Sequence, residues 1–154
     1  MENNKIITSG KRKTSIARAV LTEGVGKINI NEKDYKTLQI FDRLKIEEPL
    51  RIAEKILGKI NFDAIINVKG GGEKSQIEAA RLALAKAVVE FSKSKELEKE
   101  YLNYDRNLLI ADVRRKEPNK PGDSKARSKR QTSYRWLNNL FPNIFPKNRF
   151  LFIF

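Results

Sequence analysis

The thirty residues from Arg106 to Arg135 constrain this chain more than any other stretch. They read RNLLIADVRRKEPNKPGDSKARSKRQTSYR, with ten Lys or Arg against three Asp or Glu, hence a formal +7. Beyond Val113 they offer almost nothing apolar. A segment of that composition cannot bury enough surface to offset the entropy of ordering it, so it does not join a hydrophobic core by itself. Pro118, Pro121 and Gly122 disfavour a helix and favour an extended path. At full extension the roughly twenty residues from Lys116 to Arg135 reach about 65 Å. Planar, permanently charged guanidinium groups on such a strand suit a polyphosphate partner that orders it on binding.

Charge elsewhere in the chain sharpens this reading. The 154 residues carry a net +13 with a sequence pI of about 10.0. Residues 73–100 hold six acids and six bases, whereas residues 3–18 hold five bases and no acid. Positive charge is thus gathered at both ends of a nearly neutral middle, the profile of a nucleic-acid binder. The alternative is a basic protein whose cations are simply solvated. The chain has no Cys and no His. That removes disulfides, thiol nucleophiles, Cys/His zinc sites and the usual general base near neutral pH. A magnesium site built from carboxylates alone is still open, but no acidic cluster points to one. We therefore expect no enzyme, no metal, no cofactor and no small-molecule substrate. Met1–Lys13 has no apolar run of the kind a signal peptide needs. No stretch reads as a bilayer span. The expected location is cytoplasmic.

Periodicity places a mixed fold between the basic ends. Ala17, Ala19 and Leu21 share one face of a strand within residues 5–21, and Ile16, Arg18 and Val20 share the other. Thr22–Gly26 reads as a turn, and Lys27–Asn31 as the returning strand of a hairpin. A short helix is expected near Glu32–Leu38. Pro49 is expected to open a helix that runs to about Leu57 and ends at Gly58. Phe62, Ala64, Ile66 and Val68 alternate with Asp63, Ile65, Asn67 and Lys69, a strand with one buried face. After three glycines, Ile77, Ala80, Leu84, Val88 and Phe91 recur at helical spacing. Ser75 and Glu78 suggest a capping box at that helix start. A charged helix is expected from Lys95 to about Asn103. The sum is an α+β core of three to four strands and two or three helices, residues 1–113, followed by a basic tail at 114–135. Residues 136–154 change character again. They hold the single Trp, five of the eight Phe and no acid. Two prolines and two cations make them a poor membrane span.

Two features invite a phosphate. Gly70, Gly71 and Gly72 lie between a strand and a helix, where backbone N–H groups can cradle an anion. GGGEKS does not fit the nucleotide-binding spacing G-x-x-x-x-G-K-[ST], because Glu73 stands where the second Gly is required. A tight strand-to-helix turn and a close backbone approach to RNA phosphate both stand. The cluster Lys11, Arg12, Lys13 with Arg18 is either a solvated face or a set of phosphate contacts beside a sheet edge.

Six segments in order carry a family resemblance: TSGKRKTSIARAVL (8–21), GKININ (26–31), EPL (48–50), VKGGG...Q..AAR.ALAKAV (68–88), YDRNLLIADVRRKEPNKPG (104–122) and KARSKRQTSYR (125–135). Through them the chain resembles the small-subunit ribosomal protein S-nine family in its archaeal and eukaryotic form. Its Ser-Tyr-Arg takes the place of the bacterial Ser-Lys-Arg. The resemblance implies a small two-layer α/β sandwich of the ribosomal S5 second-domain type, with a left-handed crossover and a long extended basic C-terminal tail. It implies a structural role in the head of the small ribosomal subunit, in contact with small-subunit rRNA, P-site tRNA and neighbouring head proteins. The implied rRNA-binding residues are Lys11, Arg12, Lys13, Arg18, Gly70, Gly71, Gly72, Arg106, Arg114, Arg115, Lys116, Lys120, Lys125, Arg127 and Lys129. The implied tRNA-contacting residues are Arg130, Gln131, Thr132, Ser133, Tyr134 and Arg135, the last being the family's closest phosphate contact.

Two departures accompany the resemblance. Ser75 stands where many members carry Gly. Nineteen residues follow Arg135, where family chains normally end. These are a sequencing or stop-codon error, a segment bound elsewhere, or an extension that crowds the tRNA contact. Outside the family, an RNA-processing enzyme of related fold and a free nucleic-acid-binding regulator are the competing classes. The first is disfavoured by the lack of His and of clustered carboxylates.

Overall fold

A computed structural model describes residues 5–58 and 61–115. Five strands form one sheet: β1 (Ile6–Arg12), β2 (Ser15–Glu23), β3 (Ile28–Ile30), β4 (Lys33–Asp34) and β5 (Phe62–Lys69), in the order β1-β2-β5-β3-β4. Three helices accompany them: α1 (Ile40–Leu57), α2 (Glu73–Ser92) and α3 (Lys95–Tyr104). Helix α2 lies across β1, β2 and β5, α1 packs beside α2, and α3 packs beside α1. The sheet is covered on one face. Its residues alternate accordingly: Ala17, Ala19 and Leu21 are buried on β2, and Phe62, Ala64, Ile66 and Val68 on β5. No helix among the described residues is long and apolar enough to cross a membrane.

The sheet order corrects the expected hairpin between β2 and β3. β5 is inserted between them, antiparallel to β2 (Ala19↔Ile66) and parallel to β3 (Ile30↔Ile66). The turn Gly24–Lys27 is therefore an arch over the start of β5. Asp63 pins it: Oδ1 accepts hydrogen bonds from the N–H groups of Val25, Gly26 and Lys27 at 2.9, 2.9 and 2.8 Å. Those bonds, that of Lys27 foremost, hold the Asp63 carboxyl below its ordinary range. A Cβ on Gly24 would run into this carboxylate. Ala64 N–H donates to the Lys27 carbonyl at 2.8 Å, which starts the parallel ladder. The ladder is prolonged by Asn31, whose N–H donates to Ile66 O (2.9 Å) and whose Oδ1 accepts from Val68 N–H (2.7 Å).

Three further expectations are corrected. Glu32–Leu38 is not an α-helix. Asn31 and Glu32, at φ 47° and 69°, close a two-residue turn into β4, and a 3-10 turn follows at Tyr35–Thr37. Left-handed values at both turn residues match the twist of a tight hairpin and stop a helix from starting. Pro49 lies inside α1 rather than at its first residue. A mid-helix proline costs roughly 3 kcal/mol. Burying Ile46, Leu50 and Ala53 on the same face offsets that, at about 1.5–3 kcal/mol for each large aliphatic side chain. The carbonyl of Pro49 also accepts from the buried Tyr101 hydroxyl at 2.7 Å. Burial pushes the Tyr101 phenol up, so it stays a donor. At α2, Gly72 is the N-cap and Ser75 lies in the first turn, its Oγ accepting from Gly72 N–H at 3.1 Å. Glu78 is not its capping partner.

Small residues let β1 and α2 meet backbone to backbone. Ala79, Ala80, Ala83 and Ala87 are fully buried, and Thr8 Oγ1 donates to Ala83 O at 2.8 Å. A Cβ on Gly10 would lie 2.7 Å from Ala83 N and closer still to Ala79 O. We expect Gly10→Ala to destabilise the protein by about 1–3 kcal/mol in urea unfolding, because backbone rather than a side-chain tip must move. The exposed neighbour change Ser9→Ala should stay within about 0.5 kcal/mol. Equal midpoints for the two variants would show that the helix moves away freely.

Candidate nucleic-acid interface

Strand parity divides the N-terminal cations. Register places Lys11, Ile16 and Lys69 in one row across β1, β2 and β5, and Ser9, Arg18 and Asn67 in the next. Side chains in these rows stand on the uncovered face. With strands about 4.8 Å apart, Lys11 and Lys69 are about 10 Å apart across the sheet. Among the described residues no carboxylate lies within ion-pair distance of Lys11, Arg18 or Lys69. These charges are therefore available to an anion. Lys13 sits at the β1–β2 tip with φ 53°.

Arg12 differs from the cations beside it in sequence. Its parity turns it toward α2, where Nε donates to Glu78 Oε2 at 2.6 Å and Nη1 to Asp112 Oδ2. Lys45 Nζ reaches the other Glu78 oxygen at 3.3 Å. Burial would raise the Glu78 pKa, but the hydrogen bonds from Arg12 and Lys45 together outweigh it and hold it low. Asp112 also accepts from Arg114, through the backbone N–H at 2.8 Å and through Nε and Nη2. These bonds hold its carboxyl far below the usual range, the Arg114 side chain contributing most. Arg12, Asp112 and Arg114 thus fasten the last described residues to the hairpin end of the sheet. This fixes where the chain leaves the domain.

The glycine turn lies at that same end. Gly70 and Gly71 have φ of 78° and 68°, values open to glycine at little cost. The turn is filled by the protein's own hydroxyls. Ser15 Oγ donates to Gly70 O at 3.0 Å and lies 2.8 Å from Ser75 Oγ, and a Cβ on Gly71 would meet both serines. Gly70 also packs under the hairpin tip, against Thr14 O. This geometry answers to the tight-turn reading, and Gly72 N–H is already spent on Ser75.

Of the other sequence-derived candidates, Arg106 opens a 3-10 turn after α3 (Arg106–Leu108), apart from the sheet rows. Arg115 is exposed. Lys116, Lys120, Lys125, Arg127, Lys129 and the stretch Arg130–Arg135 lie outside the described residues, as do residues 136–154. Lys69 belongs with Lys11 and Arg18 and was not among the candidates. The alternation of Phe62–Lys69 is the signal that reveals it.

Glu78 and Asp112 have pKa values lowered in the folded state. Their stabilising effect is present above the unfolded carboxylate pKa of about 4 and is lost as pH falls through the folded values. Urea midpoints should therefore drop between about pH 5 and pH 2, and the drop should be shallower in Asp112→Asn and Glu78→Gln. An unchanged slope in both variants would mean that the Arg12 pairs contribute nothing.

Residues 10–135 match the family described as Ribosomal protein S9/S16. Small ribosomal subunit protein uS9 of Methanococcus vannielii is 50% identical over 131 residues, covering 83% of this chain and 96% of that protein. The protein of the same name from Methanococcus maripaludis is 49% identical over 131 residues. That from Picrophilus torridus is 47% identical over 131 residues, covering 84% of this chain and 97% of that protein.

Proposed function

The chain belongs to the ribosomal protein S9/S16 family, whose members are ribosome constituents and not enzymes, and on that premise we propose that it binds small-subunit rRNA and touches P-site tRNA. It is of the archaeal type and serves translation as a structural component of the small subunit. In this reading the globular part, residues 1–113, has the ribosomal S5 second-domain fold and sits in the subunit head beside neighbouring proteins, in cytoplasmic ribosomes. Residues 114–135 thread through rRNA, Arg130–Arg135 reach the tRNA, and 136–154 are the apolar stretch after the family's usual end.

The observation that carries the reading is the pair of sheet rows with Lys11, Arg18 and Lys69. They offer positive charge that no described carboxylate neutralises, beside polar Ser9 and Asn67. Phosphate contacts of this kind position a protein on RNA without reading sequence. Because Arg12 and Arg114 share Asp112, the basic segment that follows departs from the same end of the sheet. Arg12 holds the chain in place in this account, and Lys11, Arg18 and Lys69 meet the RNA.

Binding to small-subunit rRNA at several salt concentrations tests this. Neutralising about eight to ten phosphates should give a slope of log affinity against log salt of roughly −6 to −9. Deleting 114–135 should flatten it by more than half. A slope near −2 for the intact chain would mean that most of the charge is solvated. For the tRNA contact, Arg135→Ala should weaken P-site binding by about 1.5–3 kcal/mol, the worth of well-formed hydrogen bonds to a charged group. Subunit assembly should continue, and Arg135→Lys should fall between, since it keeps charge and loses the planar fork. Unchanged tRNA affinity in Arg135→Ala would remove that residue from the contact.

A further inference from the structure

Helix α1 has two faces, and the fold uses one. Ile46, Leu50 and Ala53 are buried. Phe41 and Leu44 stand on another side, with half-buried Ile52 just over two turns further along it. Phe41 is 76% exposed and Leu44 is 47% exposed. Together with Tyr104 at the end of α3 they line a groove of about 510 Å³. The wall is braced: Tyr104 donates its hydroxyl to Glu48 Oε1 at 2.7 Å, and Arg81 holds the other Glu48 oxygen at 2.7 Å. An exposed aromatic beside aliphatic neighbours costs solvation unless something covers it.

We infer that this groove is a second binding surface, which receives an acidic amphipathic helix of another protein in the subunit. The inference rests on the ribosomal reading above. Charge selects the partner. Lys45, Arg51 and Lys55 line the groove. Lys45 is paired with Glu78 and Arg51 with Glu47, but Glu47 is shared with Arg43. Lys55 has no carboxylate within ion-pair distance among the described residues. The one carboxylate in the lining, Glu48, is held by Arg81 and Tyr104, so cations outnumber acids here. The field over the apolar floor is therefore positive. From Phe41 to Lys55 the helix runs about 21 Å, the length of some four turns, which matches a helix lying along a groove. Protein interfaces place aromatic and apolar side chains at the centre and charge at the rim, as here. RNA interfaces are polar and strongly basic, whereas the floor of this groove is set by Phe41, Leu44 and Ile52. The open sheet face, with Lys11, Arg18 and Lys69 beside Ser9 and Asn67 as well as exposed Ile7 and Ile16, carries cations that no described carboxylate pairs.

The test uses small subunits assembled with the full chain, carrying a photoreactive benzophenone side chain in place of Phe41 or, as reference, of Ile7 on the open sheet face. At position 41 the adduct should be a peptide with apolar residues at helical spacing flanked by Asp or Glu. At position 7 it should be rRNA. An adduct to rRNA or to a second copy of this chain at position 41, or none at all, overturns the inference. If the chain does not enter the subunit, and position 7 also yields no RNA adduct, the ribosomal reading itself fails. The double change Phe41→Ser with Leu44→Ser alters exposed residues only. It should lower retention of the crosslinked protein in salt-washed subunits by on the order of tenfold, with incorporation of the chain and rRNA affinity unchanged. Unaltered retention overturns the inference.

Discussion

A single carboxylate pins the connection around which the sheet is ordered. Asp63 Oδ1 gathers three N–H groups of the Gly24–Lys27 arch and so holds the chain over the start of β5. Local sequence favours pairing β2 directly with β3, and the arch instead leaves a place between them. With it, β5 occupies the centre and pairs on both sides. The composition of the open sheet rows depends on this insertion. Lys69 joins the rows of Lys11 and Arg18 because β5 lies beside β2, and the Gly70–Gly72 turn meets the β1–β2 tip for the same reason.

The same sheet sorts chemically similar side chains into different tasks. Lys11, Arg12 and Lys13 are consecutive and basic, yet only Arg12 faces the helical layer. There, burial makes an unpaired guanidinium costly, and Glu78 and Asp112 supply the counter-charge. The pairing ties Arg12 into the fold and fastens Asp112 and Arg114 to the hairpin end of the sheet. Lys11 and Arg18, turned to the open face, have no carboxylate within ion-pair distance among the described residues. Electrostatics is thus divided by parity: internal pairing on one face, unneutralised charge on the other. The helical side adds a third environment at α1, where apolar exposure rather than charge is the dominant feature.

Sequence by itself determined a good deal. The alternation in 15–23 and 62–69, the helical repeat from Ile77 to Phe91 and the Gly58 stop follow from side-chain period and backbone freedom, which are local properties. The basic ends, the lack of Cys and His and the six ordered motifs were likewise plain, and they led to the family. What tertiary structure alone decided is each choice among partners distant in the chain. Asp63 and the arch are 36 to 38 residues apart, Arg12 and Asp112 are 100 apart, and Gly10 meets α2 across the core. Proline inside α1 is the same kind of decision: local propensity places Pro49 at a helix start, and burial of its neighbours carries the helix through it. Propensity acts over a few residues, whereas these contacts exist once the sheet and helices have assembled.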